Sequence, residues 1–157
     1  MRSIRRRRQE AKTDYKARLA LLASGKPRLV VRKTNRYIIA QIVTSDIAQD
    51  KVLAGVTSKV LLSKGWPKEN SGSLKSLPAA YLTGMVLAKT AKGKVKEAIL
   101  DMGMNRNIKG SRIYALVSGA VDAGLSIPHS KEVLPSQEIL AKNKKVGGVF
   151  EKVKQKI

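Results

Sequence analysis

Residues 28–43, RLVVRKTNRYIIAQIV, constrain the fold more than any other stretch of the chain. Val30 and Val31 precede a polar Thr34-Asn35 pair, and Ile38, Ile39, Ile42 and Val43 follow it. β-Branched side chains favour an extended backbone, while Thr and Asn supply local hydrogen bonds for reversal, so the pattern predicts a β-hairpin. Arg28 opens it, and Arg32, Lys33, Arg36 and Tyr37 crowd its turn. A folding unit gains nothing from cations and an aromatic gathered at one tip, whereas a surface for phosphates and bases does. The competing reading is a solvated hairpin end with incidental charge, since basic turns are common on basic proteins.

Charge weighs on the first side. The formal net charge is +21 over 157 residues. Self-repulsion of that size opposes a compact monomer and is relieved where a polyanion neutralises it, which makes nucleic acid the expected partner. With 43% hydrophobic residues the chain is no disordered polyelectrolyte, and with only 4% aromatics its core must be aliphatic. Cysteine is absent, so disulfides and thiolate metal sites are excluded. The lone His129, beside Pro128, reads as a loop residue. No apolar run is long enough to span a bilayer, and MRSIRRRR leads into polar residues rather than a signal-peptide core; a cytosolic protein without a membrane partner is expected.

In chain order, residues 1–12 form a basic arm. Arg5, Arg6, Arg7 and Arg8 stand in a row, with Lys12 beyond them. Arginine's planar fork grips phosphate with two bonds and stacks on bases, which suits RNA, and such arms commonly order only on their partner. Residues 13–24 read as a helix capped by Thr13 or Asp14, with Tyr15, Leu19 and Leu22 on one face and Lys16 continuing the basic spacing of Arg5, Arg8 and Lys12 on another. After the hairpin a third strand is expected over 51–57, completing a meander. Residues 63–77 read as a loop in which Trp66 is expected to plug the core rather than offer a stacking platform. A buried helix begins at Pro78, with Gly84 marking close approach to a strand. Residues 97–102 read as a short strand reached through a crossover, hence parallel to its neighbour.

Between that strand and the next helix lies GMNRNIKGSR, residues 103–112. Asn105, Lys109, Gly110, Ser111 and Arg112 lead into a helix whose apolar residues repeat from Ile113 to Val121, and helix N-termini bind phosphate through free amides. The lysine-serine pair of a nucleotide-binding loop is missing. The loop is therefore read as a site for RNA backbone phosphate, against a purely structural turn. Residues 136–144 are expected to hold another short helix. The expected organisation is a basic arm and first helix (1–24), an α/β RNA-binding domain (25–126) and a basic C-terminal tail (127–157). No catalytic set emerges. Only Asp101 sits at a strand end where a metal-dependent nuclease would want a carboxylate, and it lacks evident companions.

These strings also carry a resemblance. The arginine arm followed by KTDYKARL, the run SGKPRLVVRKTNRYIIAQIV, Gly65-Trp66, PAAYLTG at 78–84, EAILDMG at 97–103, GSR at 110–112 and AGLSIPHS resemble the archaeal and eukaryotic branch of the large-subunit ribosomal protein family numbered eighteen in the universal scheme. The similarity runs from about Arg5 to His129. It implies a mixed sheet flanked by helices, an antiparallel meander plus a parallel strand, of ribonuclease-H-like architecture and without enzymatic activity. It further implies contacts to 5S ribosomal RNA through arm, hairpin tip and GSR loop. Large-subunit RNA and the second protein of the 5S particle are the implied neighbours, and no cofactor is expected. After Ser136 the ending AKNKKVGGVFEKVKQKI departs from the family pattern, which leaves the tail's contacts open.

Overall fold

The computed structural model describes residues 4, 6–47, 49–141 and 147–157. Arg5 and residues 142–144 of the expected tail helix lie outside them. Four strands form one sheet in the order β3-β2-β1-β4: β1 (Arg28–Lys33), β2 (Ile38–Asp46), β3 (Gln49–Thr57) and β4 (Ile99–Asp101). β1, β2 and β3 are the antiparallel meander, and β4 lies parallel to β1 with Leu29 opposite Leu100. This is the mixed α/β sheet expected from sequence, consistent with the ribonuclease-H-like label.

Alternation assigns the two faces of the sheet. Leu29, Val31, Ile38, Ala40, Ile42, Ala54 and Val56 are buried together on one face. Over this face lies α3 (Leu77–Ala91), which also packs against α4 (Arg112–Asp122) and α6 (Gly147–Lys156). Being covered by several elements at once, α3 can be apolar nearly all round. Gly84 was expected to let a strand approach; it instead admits α4. A Cβ at Gly84 would collide with the Leu116 carbonyl, and one at Gly119 with the Tyr81 carbonyl, so both glycines serve helix-to-helix contact.

Three further segments differ from expectation. Residues 63–77 are not an open loop: 3-10 turns at Ser58–Lys64 and Lys68–Ser73 shape most of it. Trp66 is 2% exposed and its indole N–H donates to the Asn70 carbonyl at 3.0 Å, the plug expected of it. The supposed tail continues the fold through α5 (Gln137–Ala141) and α6, where Leu140, Phe150 and Val153 join the core. Phe150 lies 5.5 Å from the Tyr81 ring. In the arm, α1 (Arg6–Gln9) already forms one helical turn, with Glu10 3.7 Å from Arg6.

Candidate nucleic-acid interface

The second face of the sheet carries charge where the first carries hydrocarbon. Arg28 is 1% exposed. Its Nη1 donates to Asp101 at 2.8 Å, and its Nη2 donates to Asp50 at 2.9 Å and to Ser45 at 3.1 Å. A bulge makes this arrangement possible. Ile42 pairs with Ala54 but Val43 pairs with Val52, so one extra residue in β3 turns Asp50 away from the apolar face and toward Arg28. Burial disfavours the ionised Asp50 carboxylate, yet the Ser45 hydrogen bond and the guanidinium groups of Arg18 and Arg28 together outweigh it, holding the carboxyl down at about 2. Arg18 comes from α2 (Tyr15–Ala23) and bonds Asp50 at 2.9 Å, tying this helix to the sheet. Arg28, expected among the RNA-binding residues, is thus a buried structural cation, its fork already occupied by carboxylates. Asp101 likewise accepts from Arg28 and from the Gly103 N–H rather than standing open to a metal.

α2 starts where Asp14 accepts from the Lys16 and Ala17 amides at 3.0 and 3.1 Å. None of its residues is fully buried, and Leu19 is 70% exposed, so the apolar face expected there is only partly covered. Tyr15 is half-buried and Lys16 exposed.

At the hairpin tip the turn closes on itself. The Thr34 N–H donates to the Tyr37 carbonyl, the Thr34 hydroxyl donates to the same oxygen, and the Tyr37 N–H donates back to that hydroxyl, each at 2.9 Å. This clasp fixes the backbone that carries Asn35 and Arg36. Lys33, Asn35 and Arg36 are exposed and make no side-chain hydrogen bond or ion pair among the described residues. Tyr37 leans on the core with part of its ring.

Arg32 and Lys33, adjacent in sequence, point to opposite faces of β1. Arg32 donates to the Val31 carbonyl, lies 3.9 Å from Asp101, and lines a cleft of about 480 Å³ together with Arg7, Lys12 and Arg18. Lys33 lines a second cleft of about 640 Å³ with Asn105, Arg106, Gly110, Ser111 and Arg112. The tip therefore does not gather all its cations into one patch. It divides Arg32 and Lys33 between an arm-side and a loop-side cleft, with Asn35 and Arg36 exposed on the turn that joins β1 to β2.

Within the loop the expected trio of amides is mostly engaged. Gly110 N–H donates to the Val133 carbonyl at 2.9 Å and Ser111 N–H to the Ile108 carbonyl at 3.2 Å, which leaves the first-turn amides of α4 from Arg112 onward. Asn105 donates to the Met102 carbonyl at 2.7 Å, a local turn contact, and Lys109 lies 3.4 Å from Glu132 in an exposed pair. Arg106 and Arg112 make no ion pair among the described residues. Sequence reasoning did not single out Ser76, Met104 or Ile108, which share the loop-side cleft. The signal for Ser76 lay in its placement just ahead of Leu77-Pro78, a helix-start pattern.

The sequence has relatives. A family model described as "Ribosomal large subunit proteins 60S L5, and 50S L18" matches residues 1–98 and 91–130. The chain is 53% identical over 134 residues to the large ribosomal subunit protein uL18 of Korarchaeum cryptofilum, covering 85% of this chain and 67% of that one. It is 43% identical over 157 residues to the protein of the same name from Methanoregula boonei, covering 96% and 88%. Against that of Methanoculleus marisnigri the figure is 48% over 136 residues, covering 86% and 75%.

Proposed function

The chain belongs to this family of ribosomal large-subunit proteins, and from that membership we propose that its particular ligand is 5S ribosomal RNA. Membership makes it a structural constituent of the large ribosomal subunit in the cytoplasm, in contact with ribosomal RNA and neighbouring ribosomal proteins, and its relatives are ribosomal proteins rather than enzymes. The observation that carries the 5S reading is the clasped hairpin tip. Lys33, Asn35 and Arg36 are held on a fixed turn with no side-chain partner among the described residues, so their donors are available to phosphates and base edges. Arg6, Arg7, Arg8 and Lys12 add phosphate neutralisation on the arm side, and Arg112 with the first turn of α4 adds it on the loop side. By the same reading, the tip attaches 5S RNA while other basic surfaces meet the large-subunit RNA, with the second 5S-binding protein as a neighbour. Competition between 5S RNA and transfer RNA for the full chain at moderate salt tests this. Preference for 5S by at least tenfold is expected; equal affinity would reduce the protein to a general polyanion binder.

A further inference from the structure

The N-termini of α3 and α4 open into the same loop-side cleft. Ser76 and Ser111 are their N-cap residues, both in the extended conformation typical of a cap. A serine there ordinarily accepts from an amide in the first turn. Neither does so, and in α3 the second position is Pro78, which has no N–H to offer. Both hydroxyl oxygens are buried from solvent and lack a hydrogen-bond partner among the described residues. Two unpartnered buried hydroxyls lining one cleft are costly to leave unmet, so their coincidence calls for an acceptor or donor that the described residues do not supply.

The surroundings say what kind of group that is. Two helix ends bring positive dipole ends and free amides to the cleft. Lys33, Arg106 and Arg112 line it, and no carboxylate does. Its outer wall is hydrocarbon, where Met104 and Ile108 are 56% and 57% exposed in the same cleft lining. Anion chemistry at the floor beside an apolar wall matches a nucleotide, with phosphate and base side by side.

We propose that this cleft seats one unstacked nucleotide of the bound RNA, its phosphate between the N-termini of α3 and α4 and its base against Met104 and Ile108. Both oxygens are closed to solvent in the free chain, so seating includes a χ1 rotation that turns each hydroxyl into the cleft when the phosphate arrives. The proposal rests on the RNA-binding reading above and adds Ser76 and the apolar wall to it.

The test measures 5S RNA affinity and melting temperature of the full chain in two double variants, Ser76→Ala/Ser111→Ala and Met104→Ala/Ile108→Ala. Because the hydroxyls cap nothing, the serine variant is expected to melt no lower than wild type while binding 5S RNA about tenfold more weakly, the scale of lost charge-assisted hydrogen bonds. The wall variant is expected to lose roughly fivefold through lost apolar contact. Unchanged affinity in either variant, at unchanged melting temperature, would overturn the seated nucleotide. A serine variant that melts well below wild type would show the hydroxyls serving the fold and overturn it as well. Failure of the wild-type chain to prefer 5S over transfer RNA is a separate result, which refutes the 5S reading itself.

Discussion

Arg28 shows how little a residue's charge says about its place. In the sequence it is one more arginine at the start of a basic hairpin; in the fold it is buried with Asp50 and Asp101 on its guanidinium. Removing Arg28 leaves the buried Asp101 carboxylate without its closest cation. Arg28→Ala is therefore expected to lower unfolding free energy by about 3–5 kcal/mol in denaturant titration, and Arg28→Met by much less. Asp50 carries a pH signature. Its folded carboxyl is held at about 2 against an ordinary 3.8, so its contribution is fully present above the ordinary value and is lost as pH falls toward 2. Unfolding free energy measured from pH 5 to pH 2 should fall more steeply for wild type than for Asp50→Asn, and parallel curves would show that the Arg18 and Arg28 pairs contribute nothing.

At the scale of elements, the contact between α3 and α4 sets the position of the loop-side cleft, and it depends on the absence of two side chains. Gly84→Ala and Gly119→Ala each push a methyl into a facing backbone carbonyl and are expected to destabilise by about 3 kcal/mol; Gly72→Ala, which meets nothing within 4 Å, should change stability by less than about 0.5 kcal/mol. Melting of the three variants in parallel checks this. The hairpin and α4 were legible because their periodicities are long and clean, and β4 because a helix between strands forces a crossover. Gly84 was legible as a close approach, but a glycine does not say what approaches. The bulge that turns Asp50 over left no turn residue to mark it, so Arg28 could only be read by composition. In the last segment the apolar set of Leu140, Phe150 and Val153 was masked by the lysines around it, and a packed element read as a tail. The split of Arg32 from Lys33 followed from strand alternation and was available in the sequence; the unpartnered hydroxyls of Ser76 and Ser111 were not, since they depend on two distant helix ends meeting.

For the molecule as a whole, a net charge of +21 on a well-formed core means that stability and binding answer to different forces. The apolar face of the sheet holds the fold, while the arm, the tip and the two clefts present cations that repel one another until a polyanion arrives. With roughly six to ten phosphates neutralised, log K for 5S RNA should fall with log salt at a slope of about −4 to −9, and a slope near −1 would remove the electrostatic account. Bulk charge of this kind gives affinity without choice. Choice is assigned to the hairpin turn, where Asn35 adds directional hydrogen bonding to Arg36 on a backbone clasped by Thr34. The direct measurement is the affinity of the Asn35→Ala/Arg36→Ala variant for 5S RNA and for transfer RNA under the same salt. A loss of about 1–3 kcal/mol on 5S RNA, with a much smaller loss on transfer RNA and a salt slope changed by only about one, is expected; equal losses on both RNAs would contradict the account and make the tip one more phosphate patch.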